Sequence, residues 1–219
     1  MTFRTVLMSL ACAALVATAP AFAGVDDDVR ALQREWDQVK YRIAAGEQEK
    51  AYQGLAESAG AVRAKYSDRA EAQIWYGIIV ASYAGAKGGL GALALAKDAK
   101  AALERALELD PKALAGSAYT SLGSLYYQVP GWPLGFGSDA KARELLDKAL
   151  ALNPDGIDPN YFLGDFLYRQ RDYDGARKAL ERALKAPARP ERPLGDEGRR
   201  AEIKGLLAKL PPGASPASR

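Results

Sequence analysis

Acidic side chains are the candidates for catalysis in this sequence. The 219 residues include no histidine and one cysteine, Cys12, which excludes mechanisms that use an imidazole. Asp155, Asp158 and Asp165 could form a facing pair, as in glycosidases, where one acid must have a raised pKa. Asp155 and Asp158 lie at a predicted helix start, however, where a carboxylate commonly caps the helix. We therefore predict that the protein is not an enzyme.

The amino terminus has the pattern of a cleavable export signal. Arg4 gives it a basic start, residues 6–18 form an apolar run, and residues 21–23 (Ala-Phe-Ala) match a small-x-small cleavage site. The run is too short for a membrane-spanning helix, which needs about 17–25 residues. We expect cleavage after Ala23, a mature chain that begins at Gly24, and a periplasmic location, with secretion as the second choice.

Removal of this segment limits the chemistry and the partners of the mature chain. Cys12 lies inside the apolar run, and Ser9 stands where a lipidation motif requires leucine, so we expect neither a lipid anchor nor stable membrane insertion. The mature chain then has no cysteine or histidine, which excludes disulfides and Cys/His zinc sites, and we expect no cofactor. Loss of Arg4 lowers the formal net charge from +3 to +2. This near balance argues against a nucleic-acid partner.

One pattern of alanine and leucine recurs three times and predicts repeated helical hairpins. The step from Ala142 to Ala176 is 34 residues, the period of a known helix-turn-helix repeat, and Leu-Gly pairs occur upstream at 122–123 and 163–164. Small residues at such positions let two helices pack closely, and the leucine fills the space between neighbouring hairpins. The three sets are Ala99, Leu103, Ala106 and Pro111; Ala142, Leu146, Ala149 and Pro154; and Ala176, Leu180 and Ala183.

The predicted fold is an all-α solenoid of about four helical hairpins with a C-terminal capping helix. A terminal helix with one polar face would cover the exposed end of the repeats. We expect a signal peptide at 1–23, a degenerate hairpin at 24–67, repeats at 68–186, a linker at 187–195, the capping helix at 196–210 and a disordered tail at 211–219. The last two repeat hairpins are predicted as Ala113–Gln128 with Asp139–Leu152, and Pro159–Gln170 with Asp172–Ala186.

Two connections between paired helices are longer than those of a standard repeat. Residues 85–91 are glycine-rich, and we expect them to form a flexible connector. Residues 130–137 combine two prolines and three glycines with Trp132, Leu134 and Phe136. Aromatic side chains on such a loop either pack against the third hairpin or bind a partner, and the sequence leaves both alternatives open.

Residues 72–186 resemble the tetratricopeptide repeat (TPR) family in their order of Leu-Gly, Ala, bulky apolar residue, Ala and Pro. This resemblance implies a non-catalytic scaffold that binds a protein or peptide in a concave groove. A weaker resemblance, carried by a glycine-containing connection and an Ala-Arg-x-x-Leu helix between Gly137 and Leu146, is to the TatT-type T component of TRAP solute transporters. It implies a small-molecule ligand. The repeat geometry also resembles regulator-of-microtubule-dynamics proteins, which fit an export signal poorly.

The TPR resemblance further implies which side chains line the groove. They occupy positions five, nine and twelve of the first helix in each hairpin. For Tyr127, Tyr161 and Tyr168, core packing and ligand contact both stay open. With the two aromatic residues of the long connection, the predicted partner-binding residues are Ile74, Ile78, Thr120, Ser124, Tyr127, Trp132, Phe136, Tyr161, Asp165 and Tyr168.

The function predicted from these features is an exported scaffold that holds a protein or peptide partner in its concave groove. The alternative is a TatT-like accessory protein of solute uptake that binds a small molecule. A pocket closed by the two long connections would favour the small molecule, and an open groove would favour the peptide. The one local basic cluster is diluted by acids, so we expect a solvated surface there rather than an anion site. Its members are Arg189, Arg192, Arg199 and Arg200.

Overall fold

The computed structural model of the chain describes residues 23–212. The predicted export signal, apart from Ala23, and the predicted tail from residue 213 onward lie outside the described residues. Within the described part, no helix combines the length and the apolar character needed to cross a membrane.

Nine α-helices account for most of residues 23–212, and they confirm the predicted all-α fold. Their bounds are α1 Ala23–Arg42, α2 Ala45–Lys65, α3 Ala70–Lys87, α4 Gly89–Leu109, α5 Ala113–Gln128, α6 Asp139–Leu152, α7 Ile157–Arg169, α8 Tyr173–Leu184 and α9 Pro193–Leu207. Two of them have side-chain caps of the expected kind. Ser138 accepts a hydrogen bond from the Lys141 amide at the start of α6, and Asp172 accepts one from the Gly175 amide at the start of α8.

The repeated alanine, leucine and glycine positions form one contact that recurs in three hairpins. A Cβ atom added at Gly123 would lie 2.9 Å from Cγ of Leu146 and 3.4 Å from the carbonyl oxygen of Ala142. Only glycine therefore allows this approach of α5 to α6. The same contact joins Gly77 to Leu103 and Gly164 to Leu180. The predicted repeat register is confirmed.

Alternate helices form a closed inner ring. The helices α1, α3, α5, α7 and α9 contact one another in that order, and α9 returns to contact α1. The helices α2, α4, α6 and α8 pair with the inner helices in the hairpins. The predicted capping helix thus does more than cover the last repeat, because it joins the two ends of the solenoid.

Two glycines allow α9 to approach α1 closely. A Cβ atom at Gly195 would lie 2.7 Å from Oδ1 of Asp37, and one at Gly198 would collide with the ring of Tyr41. On the other side of α9, Ile203 and Leu206 are buried in the cluster formed with α7 and α8. Helix α9 is therefore held on both faces.

The region around residues 85–91 corrects one prediction. It is not a flexible connector, because α3 continues to Lys87 and α4 begins at Gly89. Gly88, with φ of 62°, is the single residue between the two helices. The flanking sequence is rich in alanine and leucine, which favour helix, so the extra residues lengthen both helices instead of forming a loop.

The start of α5 also departs from the expectation. Its bounds are those predicted, but Leu114, Ala115 and Gly116 all have positive φ, between 47° and 77°. A Cβ atom at Gly116 would lie 2.8 Å from Cδ1 of Leu152. The close approach of α6 accounts for glycine at this position, and the regular helix begins after it.

Candidate functional site

The inner ring surrounds a partly open cavity of about 500 Å³. All five inner helices contribute to its wall, together with α2 and Arg192 of the segment that precedes α9. The predicted groove residues that line it are Ile78, Thr120, Ser124, Tyr161 and Asp165. The concave surface expected from the sequence is therefore the inside of a closed ring. The closing element is α9, and not the two long connections.

Three of the predicted groove residues do not line the cavity. Ile74 is fully buried in the core and is unavailable to a partner. The Tyr127 hydroxyl donates to Oδ2 of Asp165 at 2.8 Å, and its ring contacts Phe166. The ring of Tyr168 packs against Tyr173. The cavity is therefore lined by five of the eight predicted groove residues of the inner helices.

We call residues 129–138, between α5 and α6, the insert. Of its two aromatic residues, one packs against the third hairpin and the other is exposed. Phe136 packs edge-on against Tyr126, with ring centroids 5.4 Å apart, as expected for packing against the third hairpin. Trp132 is 90% exposed and Leu134 is 73% exposed. Neither of these two exposed residues lines the cavity.

The base of the insert is fastened by backbone hydrogen bonds. The Gly137 amide donates to the carbonyl of Pro130 at 2.9 Å, and the Ser138 amide donates to the carbonyl of Tyr126 at 2.8 Å. A side chain at Gly137 would collide with the backbone of Val129 and Pro130, which accounts for glycine there. The exposed tip is therefore carried by a defined turn.

The arginine cluster corrects a second prediction, because it is largely buried. The Arg192 guanidinium donates to both carboxylate oxygens of Asp37, at 2.5 and 3.2 Å. The Asp37 side chain is 3% exposed and the Arg192 side chain 10%. Arg200 donates to the carbonyl oxygens of Leu184 and Ala186. These arginines hold the C-terminal segment onto the ring, whereas the sequence alone predicted that they lie on a solvated surface.

Asp158 is an ion-pairing centre and not a helix cap. Its carboxylate accepts from Arg189 at 2.7 Å and from Arg199 at 2.9 Å. Burial opposes ionisation of Asp158, but the charges of Arg199, Arg189 and Arg192 outweigh it and lower the pKa to about 2. A general acid needs the opposite shift. The N-cap of α7 is Gly156, which makes no side-chain cap.

Glu202 links α9 to α1 at the cavity wall. It accepts from Arg199 at 2.7 Å and from the Tyr41 hydroxyl at 3.3 Å, and Nζ of Lys40 lies 3.3 Å from its other oxygen. Lys40 therefore shares Glu202 with Arg199 and Tyr41. The Lys40 side chain is 37% exposed. Burial raises the pKa of Tyr41, which keeps the phenol neutral.

An aromatic wall from α1, α2 and α3 was missed by the sequence analysis. Trp36 and Trp75 meet edge to face with ring centroids 6.2 Å apart, and the Trp36 indole N–H donates to Oγ of Ser82 at 2.8 Å. Arg192 lies over both rings, 5.0 Å from that of Trp75. Tyr52, on α2, also lines the cavity. No sequence pattern described above indicated this aromatic wall.

Two polar atoms of these aromatic residues are inaccessible to solvent and have no hydrogen-bond partner within residues 23–212. They are the Tyr52 hydroxyl and the Trp75 indole N–H, on residues that are 2% and 4% exposed. Burial raises the pKa of Tyr52, so the hydroxyl keeps its proton. Among the described residues, no group of three or more His, Cys, Asp or Glu side chains is placed to hold a metal ion. Hydroxyl, charged and aromatic residues line the cavity.

Comparison with known proteins agrees with the repeat pattern. Residues 137–210 match the family model described as tetratricopeptide repeat. No curated protein has significant sequence similarity to the chain. Among solved structures, the chain is similar to a thermophilic TPR protein of Thermus thermophilus, at 16% identity and a TM-score of 0.55, over 85% of this chain and 90% of that one.

Two further solved structures have lower structural scores. MamA is 19% identical with a TM-score of 0.44, over 77% of this chain and 93% of that one. Yeast Tom70 is 16% identical with a TM-score of 0.44, over 84% of this chain and 42% of that one. The family match covers residues 137–210, and the contact between glycine and leucine found in that segment recurs in the hairpins that precede it.

Proposed function

We propose that the protein is an exported, non-catalytic scaffold that captures a protein partner through the tip of the insert. The observation that carries this proposal is the pair of exposed apolar side chains, Trp132 at 90% and Leu134 at 73%. Large aromatic residues of this kind are the usual anchors of protein interfaces. A tetratricopeptide repeat fold is typical of protein-interaction scaffolds, which agrees with this role.

The attachment of the insert supports an anchoring role. Because Phe136 packs on Tyr126 and backbone hydrogen bonds close the base, the tip needs little ordering when a partner binds. Less conformational entropy is then lost, so more of the contact energy contributes to affinity. A Trp side chain buries about 150–250 Å² when it is covered. The complementary partner surface is an apolar pocket.

The closed ring is the reason for placing the protein partner outside the groove. An extended peptide in an open solenoid would run along the inner helices. Here α9 contacts both α1 and α7 across that path, and Arg192 and Arg199 form ion pairs inside it. The insert lies on the connection from α5 to α6, and its exposed tip does not line the cavity.

Capture of partners from a periplasmic extract tests the proposal. We expect Trp132→Ala, alone or with Leu134→Ala, to abolish recovery of partners that the wild-type protein retains, since anchor truncation commonly costs about 2 kcal/mol or more. Leu114→Ala is the matched control, because Leu114 is a 40% exposed leucine outside the insert. Recovery of the same partners by the folded Trp132→Ala and Leu134→Ala double variant would refute the proposal.

A second candidate function is solute binding by a TatT-like accessory protein. It is supported by a partly open cavity of about 500 Å³ between the inner helices, a volume typical of small-molecule sites. Co-purified small molecules, released by denaturation and identified by mass spectrometry, would test this candidate. Protein that carries no bound organic molecule and binds none of the solutes supplied to it would argue against it.

A further inference from the structure

We propose that the central cavity binds an uncharged, polyhydroxylated small molecule, a sugar or a polyol, along the inner face of α5. This proposal rests on the second candidate function above and names the class of its ligand. It is independent of protein capture, because none of the insert residues lines the cavity.

The first argument is a buried hydroxyl group without a partner. Thr120 lines the cavity and is 5% exposed. Its hydroxyl makes no hydrogen bond within residues 23–212, although buried polar groups are nearly always paired. Unlike the Tyr52 hydroxyl and the Trp75 indole N–H, the Thr120 hydroxyl is not sealed from solvent. A molecule in the cavity can therefore reach it.

The second argument is the row of hydroxyl groups to which Thr120 belongs. Ser117, Ser121 and Ser124 follow the same face of α5 at helical spacing, and all of them line the cavity. The Ser124 hydroxyl donates to the carbonyl of Ser121 at 2.8 Å, while the Ser117 and Ser121 hydroxyls make no hydrogen bond within the described residues. Because a hydroxyl can both donate and accept, this row complements the hydroxyl groups of a sugar or polyol.

The third argument is that the charges around the cavity compensate one another. Every cation that lines it already pairs with an acid. The pairs are Lys40 with Glu202, Arg169 with Asp165, Arg192 with Asp37, and Arg199 with Asp158 and Glu202. A charged ligand would therefore find no uncompensated charge among the described residues of the wall, and burial of an unpaired charge is costly. This wall favours a ligand without net charge.

The fourth argument is the surface of α7, which lies beside α5 in the ring. Tyr161 and Phe162 are half-buried and line the cavity, so they offer aromatic surface to the C–H groups of a sugar ring. The Asp165 carboxylate accepts from Tyr127 and Arg169 through Oδ2, which leaves Oδ1 as an acceptor for a ligand hydroxyl. Helices α5 and α7 together thus supply hydroxyl, acceptor and aromatic groups to one small molecule.

Calorimetric titration of the purified protein with neutral and charged sugars tests the ligand class. The neutral probes are glucose, myo-inositol and maltose. The charged probes are glucuronate and glucosamine, which at slightly acidic pH carry a carboxylate or an ammonium group on the ring of glucose. We expect at least one neutral probe to bind at least tenfold more tightly than both charged probes.

Substitutions on α5 test the site itself. Thr120→Val removes the hydroxyl at nearly constant volume and should weaken binding of the best neutral probe about tenfold, which corresponds to about 1.4 kcal/mol. Thr120→Ser keeps the hydroxyl and should bind like wild type. Ser121→Ala should also weaken binding, whereas Ser58→Ala, at an exposed position of α2 outside the cavity, is the matched control and should not.

Melting of the ligand-free variants gives a readout that separates binding from a structural role. Because the Thr120 hydroxyl makes no hydrogen bond within residues 23–212, Thr120→Val should melt at the same temperature as wild type or higher. A lower melting temperature would contradict the proposal, since the hydroxyl would then have an internal partner.

Three binding results would overturn the proposal. The first is that no neutral probe binds, and the second is that Thr120→Val binds as tightly as wild type. The third is a charged probe that binds as tightly as the best neutral one, in which case the ligand class would be wrong while solute binding itself would stand.

Discussion

Asp37 on α1 and Arg192 before α9 are 155 positions apart in sequence and joined by two hydrogen bonds, the shorter of 2.5 Å. This pair closes the inner ring, since one member belongs to the first helix and the other to the segment that leads into the last. Both side chains are almost inaccessible to solvent. Each charge therefore depends on the other, because neither can be stabilised by water.

Removal of one partner from this buried pair should strongly destabilise the fold. We expect Asp37→Asn to lower the free energy of unfolding by about 3–5 kcal/mol, as for other buried pairs that lose one member. Urea denaturation followed by circular dichroism measures the change. Asp147→Asn is the control, since the Arg143–Asp147 pair is about half exposed and its loss should cost at most about 1 kcal/mol. Equal effects of the two substitutions would contradict the buried role of Asp37.

Enlargement of the small residues in the hairpins should also destabilise the protein. Ala142 and Ala176 are fully buried at the contacts of Gly123 with Leu146 and Gly164 with Leu180. Ala142→Leu or Ala176→Leu should overpack these contacts and cost about 1–3 kcal/mol. Thermal melts measure the effect, and Ala151→Leu, at an exposed position of α6, is the control. If both buried variants melted like wild type, the repeat register would be wrong.

Acid should weaken the closure of the ring through Asp158. Its pKa is lowered to about 2 in the folded protein, below the ordinary value of about 3.9 in an unfolded chain. The unfolded state therefore binds more protons between these values, and the stabilisation, present above about pH 4, is lost as the pH falls toward about 2. We expect this contribution to be on the order of 2 kcal/mol.

Comparison of urea midpoints from pH 6 to pH 2 measures this dependence. Asp158→Asn cannot ionise, so its stability should be lower than that of wild type near neutral pH and should fall less steeply below pH 4. Identical pH profiles for Asp158→Asn and wild type would show that the Asp158 charge does not contribute to folding.

Export can be tested on the amino terminus of the native protein. The basic start at Arg4, the apolar run and the small-x-small site at 21–23 predict a mature chain that begins at Gly24 without an acyl group. Intact-mass spectrometry of protein purified from cells would identify that terminus. An acylated terminus at Cys12, or a chain that retains residues 1–23, would contradict the proposal of a cleaved, unanchored protein.

The hairpins could be predicted from sequence because their determinants are local and periodic. Ala142, Leu146 and Gly123 belong to one helical pair, and their spacing reports a contact that every repeat must make. The bounds of α5 and α6 were predicted on this basis and agree with the structure. The first turn of α5 was not anticipated, since no sequence signal indicated that Leu114, Ala115 and Gly116 have positive φ.

The closure of the ring could not be predicted because it depends on the summed rotation of all the repeats. Asp37 resembles an ordinary acid on a helix surface, and Arg192 lies among residues of mixed charge. Glycine is common in loops, yet Gly195 and Gly198 are the positions where α9 contacts α1. Pro193, which suits the first turn of a helix, was a local indication that α9 begins before residue 196. No local pattern indicated its partner helix.

Cross-linking between α1 and α9 tests the closed ring most directly. Arg42 and Glu197 lie on these helices with 3.4 Å between their charged atoms, and the chain after Cys12 has no other cysteine. In the variant Arg42→Cys with Glu197→Cys, a short bismaleimide should form an intramolecular cross-link in monomeric protein. It should do so as efficiently as in a control that carries Tyr119→Cys and Lys148→Cys, at the α5–α6 contact. Reaction of the control without any α1–α9 cross-link would contradict the closed ring.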